Sequence, residues 1–297
     1  MPTPGLKAIV PAMNLREARG ERLSGLRLKL CERNLIMGVL NVTPDSFSDG
    51  GVYLERDAAV ERARQMIREG ADLIDVGGES SRPEADPVSA ADQMNRVLPV
   101  IEAIRAESEV PISVDTRSEE VARSALERGA DIVNDISACR DSSGMGELVR
   151  ETGAGVVLMH MRGSPKTMQQ DTGYDDLVGE VLEFLAERVE FARSIGIPDE
   201  SIWIDPGIGF GKPAEGNLEI LRNIREFDRF GLPVVVGVSR KSFIGKILGR
   251  EVGSRLSGTL AVTAYLADGK THRVHRVHDV ADARDALRMV EAIHEVC

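Results

Sequence analysis

Short apolar runs recur along the chain, and most are followed by a longer segment whose apolar residues have helical spacing. The runs are Leu35–Leu40, Asp72–Val76, Pro111–Val114, Asp131–Val133, Gly155–Met159, Ile202–Ile204, Pro233–Val238 and Val274–Val277. Each run is too short for a helix, and the Val and Ile content of several is typical of strands that are buried on both faces. The pattern therefore predicts eight strands that alternate with helices.

The segments between the runs predict the helices of the same repeating unit. Ala58–Glu69 has apolar residues three or four positions apart, and so has Glu119–Arg128, which Gly129 then ends. Eight such units fit a TIM-type (β/α)8 barrel better than a doubly wound sheet, which usually has fewer strands. We predict one barrel domain over residues 35–297 and a short N-terminal extension over residues 1–34 that caps it. Ser24–Leu30 in this extension is predicted as a strand.

The predicted strands all end in polar or glycine residues, and in a barrel of this kind the active site lies where the strands end. The residues at these ends are Asn41, Gly77 to Glu79, Asp115, Asn134 with Asp135, His160, Asp205, Ser239 to Lys241, and Arg276 with His278. Cores of this class otherwise bury few polar groups. The sequence therefore predicts a binding site at this edge, with two long polar loops, residues 41–51 and 77–85, rising from it.

Three histidines near the end of the chain resemble a metal-binding tract at first sight. His272, His275 and His278 are three residues apart, so on a strand His275 points to the face opposite the other two. A three-histidine metal site is therefore not expected. Arg276 and His278 share a face instead, and together they suit an anionic group such as a phosphate.

Composition narrows the possible classes of protein. The chain has 297 residues, 42% of them hydrophobic, and a net charge of −11, which argues against binding to nucleic acid or to a membrane surface. Three scattered cysteines give neither a disulfide framework nor a thiolate metal site. With no signal peptide or long apolar stretch in the sequence, we expect a cytoplasmic protein. Residues 205–212 are glycine-rich but lack the spacing of a phosphate-binding P-loop.

Nine motifs follow one another in the order found in one enzyme family. They are MGVLNVTPDSFSDGG, DVGGESSRP, SVDT, VNDIS, LMHM, DPGIGFGK, VGVSRKSFIG, RLSGTLA and RVHDV. From about Leu35 to its end, the chain resembles the bacterial-type, single-function dihydropteroate synthases. This resemblance implies a transferase of folate biosynthesis that joins 6-hydroxymethyl-7,8-dihydropterin diphosphate to p-aminobenzoate and releases diphosphate. It also implies Mg²⁺ as cofactor and a homodimer.

The resemblance also implies roles for individual residues, matched motif by motif. The pterin-binding positions are Asp115, Asn134, Ile136, Met159, Asp205, Phe210, Gly237 and Lys241. The p-aminobenzoate positions are Phe47, Asp49, Ser81, Arg82, Pro83, Lys241 and Ser242. The diphosphate positions are Asn41, Arg276 and His278, with Asn41 nearest the metal. Asp115, Lys241, Arg276 and Asn41 are the expected catalytic residues.

The expected chemistry agrees with these residue types. Carboxylates accept from the N–H groups of a pterin edge, Lys241 donates, and Asn134 does both. Asp115 should be an anion at neutral pH if its pKa is ordinary, and an anion stabilises positive charge that develops on the pterin. Two positions depart from the usual pattern: Glu84 replaces a glycine and Ser81 replaces a threonine.

Two other functions share part of this sequence pattern. A pterin-binding methyltransferase domain would share Asp115 and Asn134, but it would need neither the first long loop nor the SRKS motif. A non-catalytic pterin-binding homologue would be indicated by loss of Lys241 or Arg276, and both are present.

Overall fold

Eight parallel strands form one sheet in a computed structural model that describes residues 14–43, 51–80, 85–267 and 270–296. The strands are β1 (Leu35–Asn41), β2 (Leu73–Gly77), β3 (Ile112–Asp115), β4 (Ile132–Asp135), β5 (Gly155–Met159), β6 (Ile202–Asp205), β7 (Val235–Val236) and β8 (Val274–Val277). Their order is β6-β5-β4-β3-β2-β1-β8-β7. A bridge between Ile204 and Val234 joins the two edges, so the predicted (β/α)8 barrel is confirmed.

Helices connect the strands and cover the outside of the sheet. They are α1 (Leu15–Glu32), α2 (Gly51–Arg68), α3 (Ala90–Glu107), α4 (Glu119–Glu127), α5 (Met145–Thr152), α6 (Leu177–Ser194), α7 (Ala214–Arg222), α8 (Ser242–Leu248), α9 (Leu256–Leu266) and α10 (Val280–Glu295). The two helices predicted by spacing lie in α2 and α4. Among the helices that the structure describes, none has the length and apolar character needed to cross a membrane.

The inside of the barrel is filled by apolar side chains near the strand starts. Leu35, Leu73, Ile132 and Val274, the first residues of their strands, belong to one buried cluster with Trp203. Leu23 and Leu26 of α1 belong to the same cluster. Helix α1 therefore lies against the N-terminal ends of the strands, which leaves the opposite end for polar chemistry.

The strand predicted at Ser24–Leu30 is wrong, because this segment is part of helix α1. Its alternating Leu26, Leu28 and Leu30 gives an apparent period of two. The buried residues instead have helical spacing, since Leu23 and Leu26 are buried and Leu28 is 68% exposed. The alternation of leucines resembled a strand only because Leu28 is apolar although it faces solvent.

Strand β7 is shorter than the predicted run Pro233–Val238. Only Val235 and Val236 form the strand, and Val238 already begins a turn in which the Lys241 N–H donates to the Val238 carbonyl at 3.2 Å. The chain leaves the sheet early at this point and carries Lys241 into the mouth of the barrel.

Candidate active site

Four neighbouring strands end at the same level and bring predicted site residues together. The strand register pairs Asn41 with Gly77, Gly77 with Asp115, and Asp115 with Asn134. Asp205 ends β6 further around the barrel. The carboxyl edge therefore carries two carboxylates and two amides on rigid strands rather than on loops.

Arg276 of β8 reaches two carboxylates of other strands. Its Nε donates to Asp75 Oδ2 at 2.7 Å, and its Nη2 donates to Asp115 Oδ2 at 2.7 Å. Asn134 Nδ2 also donates to Asp75 Oδ2, at 3.1 Å. Burial acts to lower the pKa of Arg276, but Asp75 and Asp115 raise it above its ordinary value. Arg276 therefore remains positively charged at neutral pH.

Asp75 is the residue that sequence reasoning missed. It lies within the apolar run of β2, is fully buried, and accepts from both Arg276 and Asn134. Its other oxygen, Oδ1, has no hydrogen-bond partner among the described residues. A charged residue inside a buried strand was the available signal, since such residues are rarely buried without a partner.

The pKa of Asp115 differs from the sequence expectation. Burial raises it to about 7, with Asp75 and Glu79 adding to the rise and Arg276 opposing it. The expectation of a fully ionised Asp115 at neutral pH is therefore corrected. Burial and the neighbouring carboxylates therefore move the titration of this carboxyl toward neutral pH.

Asp205 is held by the glycine-rich turn that follows it. The Gly207 N–H donates to Asp205 Oδ1 at 2.6 Å, and Gly207 has φ of +71°, which favours glycine. Burial raises the pKa of Asp205, and this hydrogen bond acts to lower it. One carboxylate oxygen is therefore committed to the turn, while Oδ2 is the one available to a ligand.

An apolar wall stands beside these polar groups. Ile136, Met159 and Phe210, the three residues predicted to line the ring, form one buried cluster with Met161 and Met168. Polar strand ends on one side and this cluster on the other suit a flat heteroaromatic ring.

Lys241 lies over the Phe210 ring, with Nζ 3.9 Å from the ring centroid. Burial lowers the pKa of Lys241 to about 8, and repulsion from Arg276 adds to the effect. A Cβ on Gly209 would be 3.0 Å from Lys241 Cδ, so this glycine allows the turn to approach the lysine closely. Gly237 lies beside Arg276, where a Cβ would be 3.9 Å from the arginine side chain.

His278 is held at the end of β8 by the neighbouring loop. Its Nδ1 is 2.9 Å from Ser239 Oγ, and its backbone N–H donates to the same oxygen at 3.2 Å. Burial lowers the pKa of His278 to about 4, with Arg276 adding to the shift. The imidazole is therefore neutral at pH 7 and offers a hydrogen bond rather than a charge.

The other two histidines of the tract lie elsewhere: His275 points away from the site, as strand alternation indicated, and His272 lies before β8 begins. His275 Nε2 is 3.2 Å from Asn34 Oδ1, and His272 Nδ1 is 2.8 Å from the Leu30 carbonyl oxygen. Within the described ranges, no group of three or more His, Cys, Asp or Glu side chains is placed to hold a metal.

Lys212 supports the glycine-rich turn from behind. Its Nζ donates to the carbonyl oxygens of Gly207 and Phe210 at 2.9 and 3.0 Å and lies 2.8 Å from His160 Nδ1. Burial lowers the pKa of Lys212 to about 7 and that of His160 to about 2, so the neutral imidazole accepts from the lysine. His160 was predicted to lie at the edge of the binding site, but its ring contacts the buried Lys212 ammonium instead.

Several predicted p-aminobenzoate residues lie outside the described residues. They are Phe47, Asp49, Ser81, Arg82 and Pro83. Ser242 is described as the first residue of α8, directly after Lys241. Of the predicted p-aminobenzoate residues, Lys241 and Ser242 are therefore described, at the start of α8.

Comparison with known proteins identifies the family to which the chain belongs. The family described as pterin binding enzyme matches residues 37–278, so the chain is a pterin-binding enzyme of the barrel class. A dihydropteroate synthase of Escherichia coli is 47% identical over 257 residues, 86% of this chain and 90% of the relative. The chain therefore belongs to the dihydropteroate synthase family, which is a family of transferases.

Solved structures show the same relationship. A Xanthomonas albilineans dihydropteroate synthase with 4-aminobenzoic acid has a TM-score of 0.84 and 42% identity, covering 90% of this chain and 95% of the other. The Xanthomonas albilineans enzyme in complex with 7,8-dihydropteroate has a TM-score of 0.81 and 40% identity, with the same coverage.

Proposed function

We propose that this protein joins 6-hydroxymethyl-7,8-dihydropterin diphosphate to p-aminobenzoate, giving 7,8-dihydropteroate and diphosphate in folate biosynthesis. The observation that carries the proposal is that Asp115, Asn134 and Asp205 lie at the carboxyl ends of β3, β4 and β6, the edge at which the buried Ile136, Met159 and Phe210 also cluster. The aminobenzoate and dihydropteroate held by the two Xanthomonas albilineans structures support it.

The pterin binds with its ring against the apolar wall and its polar edge toward the strand ends. Asp205 Oδ2 accepts from ring N–H groups, Asn134 both donates and accepts, and the Lys241 ammonium donates to a ring acceptor. The side chains on rigid strands limit the ring to one orientation, which is what precise alignment of a reacting carbon requires.

In the reaction, the bond between the pterin methylene carbon and the diphosphate oxygen breaks, and its electron pair leaves with diphosphate. The p-aminobenzoate nitrogen forms the new bond to this carbon and then loses a proton to solvent. Positive charge develops on the pterin as the first bond weakens, and ionised Asp115 stabilises it. Arg276 and the neutral His278 stabilise the departing diphosphate.

Mg²⁺ is proposed to bind together with the substrate diphosphate and not to the ligand-free protein. Asn41 offers one neutral oxygen at the end of β1, and Arg276 and His278 offer none, so the donor set fits a hydrated Mg²⁺ that arrives on the substrate. When bound, the ion neutralises diphosphate charge. The p-aminobenzoate subsite is proposed at Lys241 and Ser242, together with the residues of the two long loops.

A homodimer is also proposed, because large apolar side chains are exposed on three neighbouring helices. They are Leu218 of α7, Ile247 and Leu248 of α8, Val252 after α8, and Tyr265 of α9, here called the α7–α9 patch. A second copy of the chain is a natural cover for a patch of this kind. The cytoplasmic location predicted from the sequence stays a prediction.

The decisive experiment incubates the protein with both substrates and Mg²⁺ and follows dihydropteroate by chromatography and diphosphate by a coupled assay. We expect equal amounts of the two products. A protein that binds the pterin but releases no diphosphate would be a non-catalytic homologue. Transfer of a methyl group from methyltetrahydrofolate to a corrinoid would identify the methyltransferase alternative.

A further inference from the structure

The turn that carries Lys241 has an unusual backbone at the preceding residue. In the turn from Val238 to Lys241, Arg240 takes the third position with φ of +58°. Positive φ at this position is normally taken by glycine, because a Cβ makes the left-handed region unfavourable. A strained residue of this kind persists only where its surroundings hold it.

Arg240 is held through its backbone and its side chain. Its N–H donates to Thr259 Oγ1 at 3.1 Å, and its carbonyl oxygen accepts from Arg255 Nη1 at 3.1 Å. Its guanidinium forms a bidentate ion pair with Asp279: Nε donates to Oδ2 at 3.0 Å, and Nη2 donates to Oδ1. Helix α9 and the segment after β8 therefore both fix this turn.

The pair connects two loops that carry different parts of the site. Asp279 directly follows His278, and Ser239, on the other side of the connection, already binds His278 through the hydroxyl. Ser239–His278 and Arg240–Asp279 thus form two adjacent ties between the turn after β7 and the end of β8. Lys241 follows Arg240 by one residue, and Arg276 precedes Asp279 by three.

Holding these loops together has a physical reason. Lys241 and Arg276 are both partly buried basic side chains, and their repulsion contributes to the lowered pKa of Lys241. Without a tie, the two loops would relax apart and move the Lys241 ammonium away from the Phe210 ring. The Arg240–Asp279 pair opposes this movement and lies at the rim, since the Arg240 side chain is 42% exposed.

We propose that Arg240 and Asp279 are a positioning pair that sets the distance between Lys241 and the Arg276–His278 group, so that pterin and diphosphate are bound in register. This inference rests on the proposed function. It assigns Arg240 no contact with substrate: the residue acts through the placement of Lys241.

The test compares steady-state kinetics of wild type, Arg240→Gln, Asp279→Asn and the double variant. Each single variant should lose about 10- to 100-fold in kcat/KM for the pterin substrate, the scale of a displacement of about 1 Å in a reacting geometry. The double variant should lose no more than either single one, because both remove the same tie. Arg240→Lys, which keeps the charge, should recover part of the activity.

Arg193→Gln is the matched control, because Arg193 makes a similar two-pronged pair with Asp199 at 2.7 and 2.9 Å, outside the proposed site. It should leave kcat/KM unchanged. Full activity in Asp279→Asn with loss in Arg240→Gln would overturn the proposal and make Arg240 a substrate contact. Unchanged kinetics with lowered thermal stability in all three variants would overturn it as well. An inactive wild type would refute the proposed function instead, and the thermal melts of the variants would still measure the pair.

Discussion

Burial changes the chemistry of individual residues at this site in ways that residue type does not indicate. Asp115 is an ordinary acid in the sequence, yet its pKa is about 7 in the barrel, and the pKa of Lys241 falls to about 8. Both shifts come first from loss of water and second from neighbouring charges. The residue types were predictable from motifs, but the protonation states depended on Asp75 and Arg276, whose contacts join distant parts of the chain.

Replacing Asp115 by Asn tests its proposed role in stabilising positive charge. The substitution keeps the size and some hydrogen bonding but removes the anion, so kcat should fall by roughly 10²–10³ while pterin binding weakens only modestly. Saturating kinetics on the folded variant measure both. If Asp115 only orients the ring, KM will rise while kcat stays nearly normal.

The raised pKa of Asp115 also predicts a pH dependence. Below pH 7 the carboxyl of the free enzyme takes up its proton and loses the charge, so kcat/KM for the pterin substrate should fall as pH decreases through about 7. The Asp115→Asn variant should lack this limb. Because the substrate diphosphate titrates too, the two profiles are compared with each other, and identical limbs in both would refute the assignment.

Asn41 predicts how Mg²⁺ binds. One amide oxygen is too weak a donor set to hold the ion alone, so calorimetry should detect no micromolar Mg²⁺ affinity in the ligand-free protein and clear uptake when diphosphate is present. Asn41→Asp adds an anionic ligand at the same place and should strengthen binding of free Mg²⁺. Micromolar binding to the ligand-free wild type would contradict the proposal.

At the scale of elements, the barrel was predictable because its strands are short, apolar and terminated by polar residues. Every predicted run contains or overlaps an observed strand. The two wrong predictions have local causes. The exposed Leu28 gave part of α1 the alternating pattern of a strand, and the turn that begins at Val238 makes β7 shorter than the apolar run. The polar residues at the ends of β1, β3, β4 and β6 were also predictable from the sequence. The contacts of Asp75 with Arg276 and Asn134 were not, because they depend on how the strands are arranged around the barrel.

Helix α1 predicts a stability effect that is separate from activity. The buried Arg19 guanidinium donates to the carbonyl oxygens of Leu126, Ala130 and Thr152 at 2.9, 3.1 and 2.7 Å, which ties α1 to the ends of α4 and α5. Arg19→Met should lower the free energy of unfolding by about 2–4 kcal/mol, because these carbonyl groups lose a charged donor. Urea denaturation measures this loss.

Exposed Arg16, on the same helix, gives the control. Arg16→Met should change the free energy of unfolding by less than about 0.5 kcal/mol. Arg19→Met should keep kcat and KM under native conditions, because α1 lies at the N-terminal end of the strands. Equal stability of the two variants would show that the Arg19 hydrogen bonds contribute nothing net.

At the scale of the whole molecule, the barrel separates stability from chemistry along its axis. The apolar cluster of Leu35, Leu73 and Trp203 fills the inside near the strand starts, where α1 packs against it, and the polar residues gather at the carboxyl edge. Asp75 and Arg276 lie between these regions and join strands β2 and β8 by an ion pair in which Asp75 is fully buried and Arg276 is partly buried. The proposed substrates therefore meet groups that the barrel has already dehydrated and oriented.

The α7–α9 patch predicts self-association of the whole molecule. Tyr265 is 59% exposed and Ile247 is 52% exposed, and covering such side chains with a second copy would remove apolar surface from water. Tyr265→Glu would place a carboxylate in that interface without a partner, so the variant should sediment as a monomer at micromolar concentration while wild type sediments as a dimer. Leu28→Glu is the control: Leu28 of α1 is 68% exposed, more than Tyr265, and lies outside the α7–α9 patch, so this variant should remain dimeric. A monomeric wild type, or a dimeric Tyr265→Glu variant, would refute an interface at this patch.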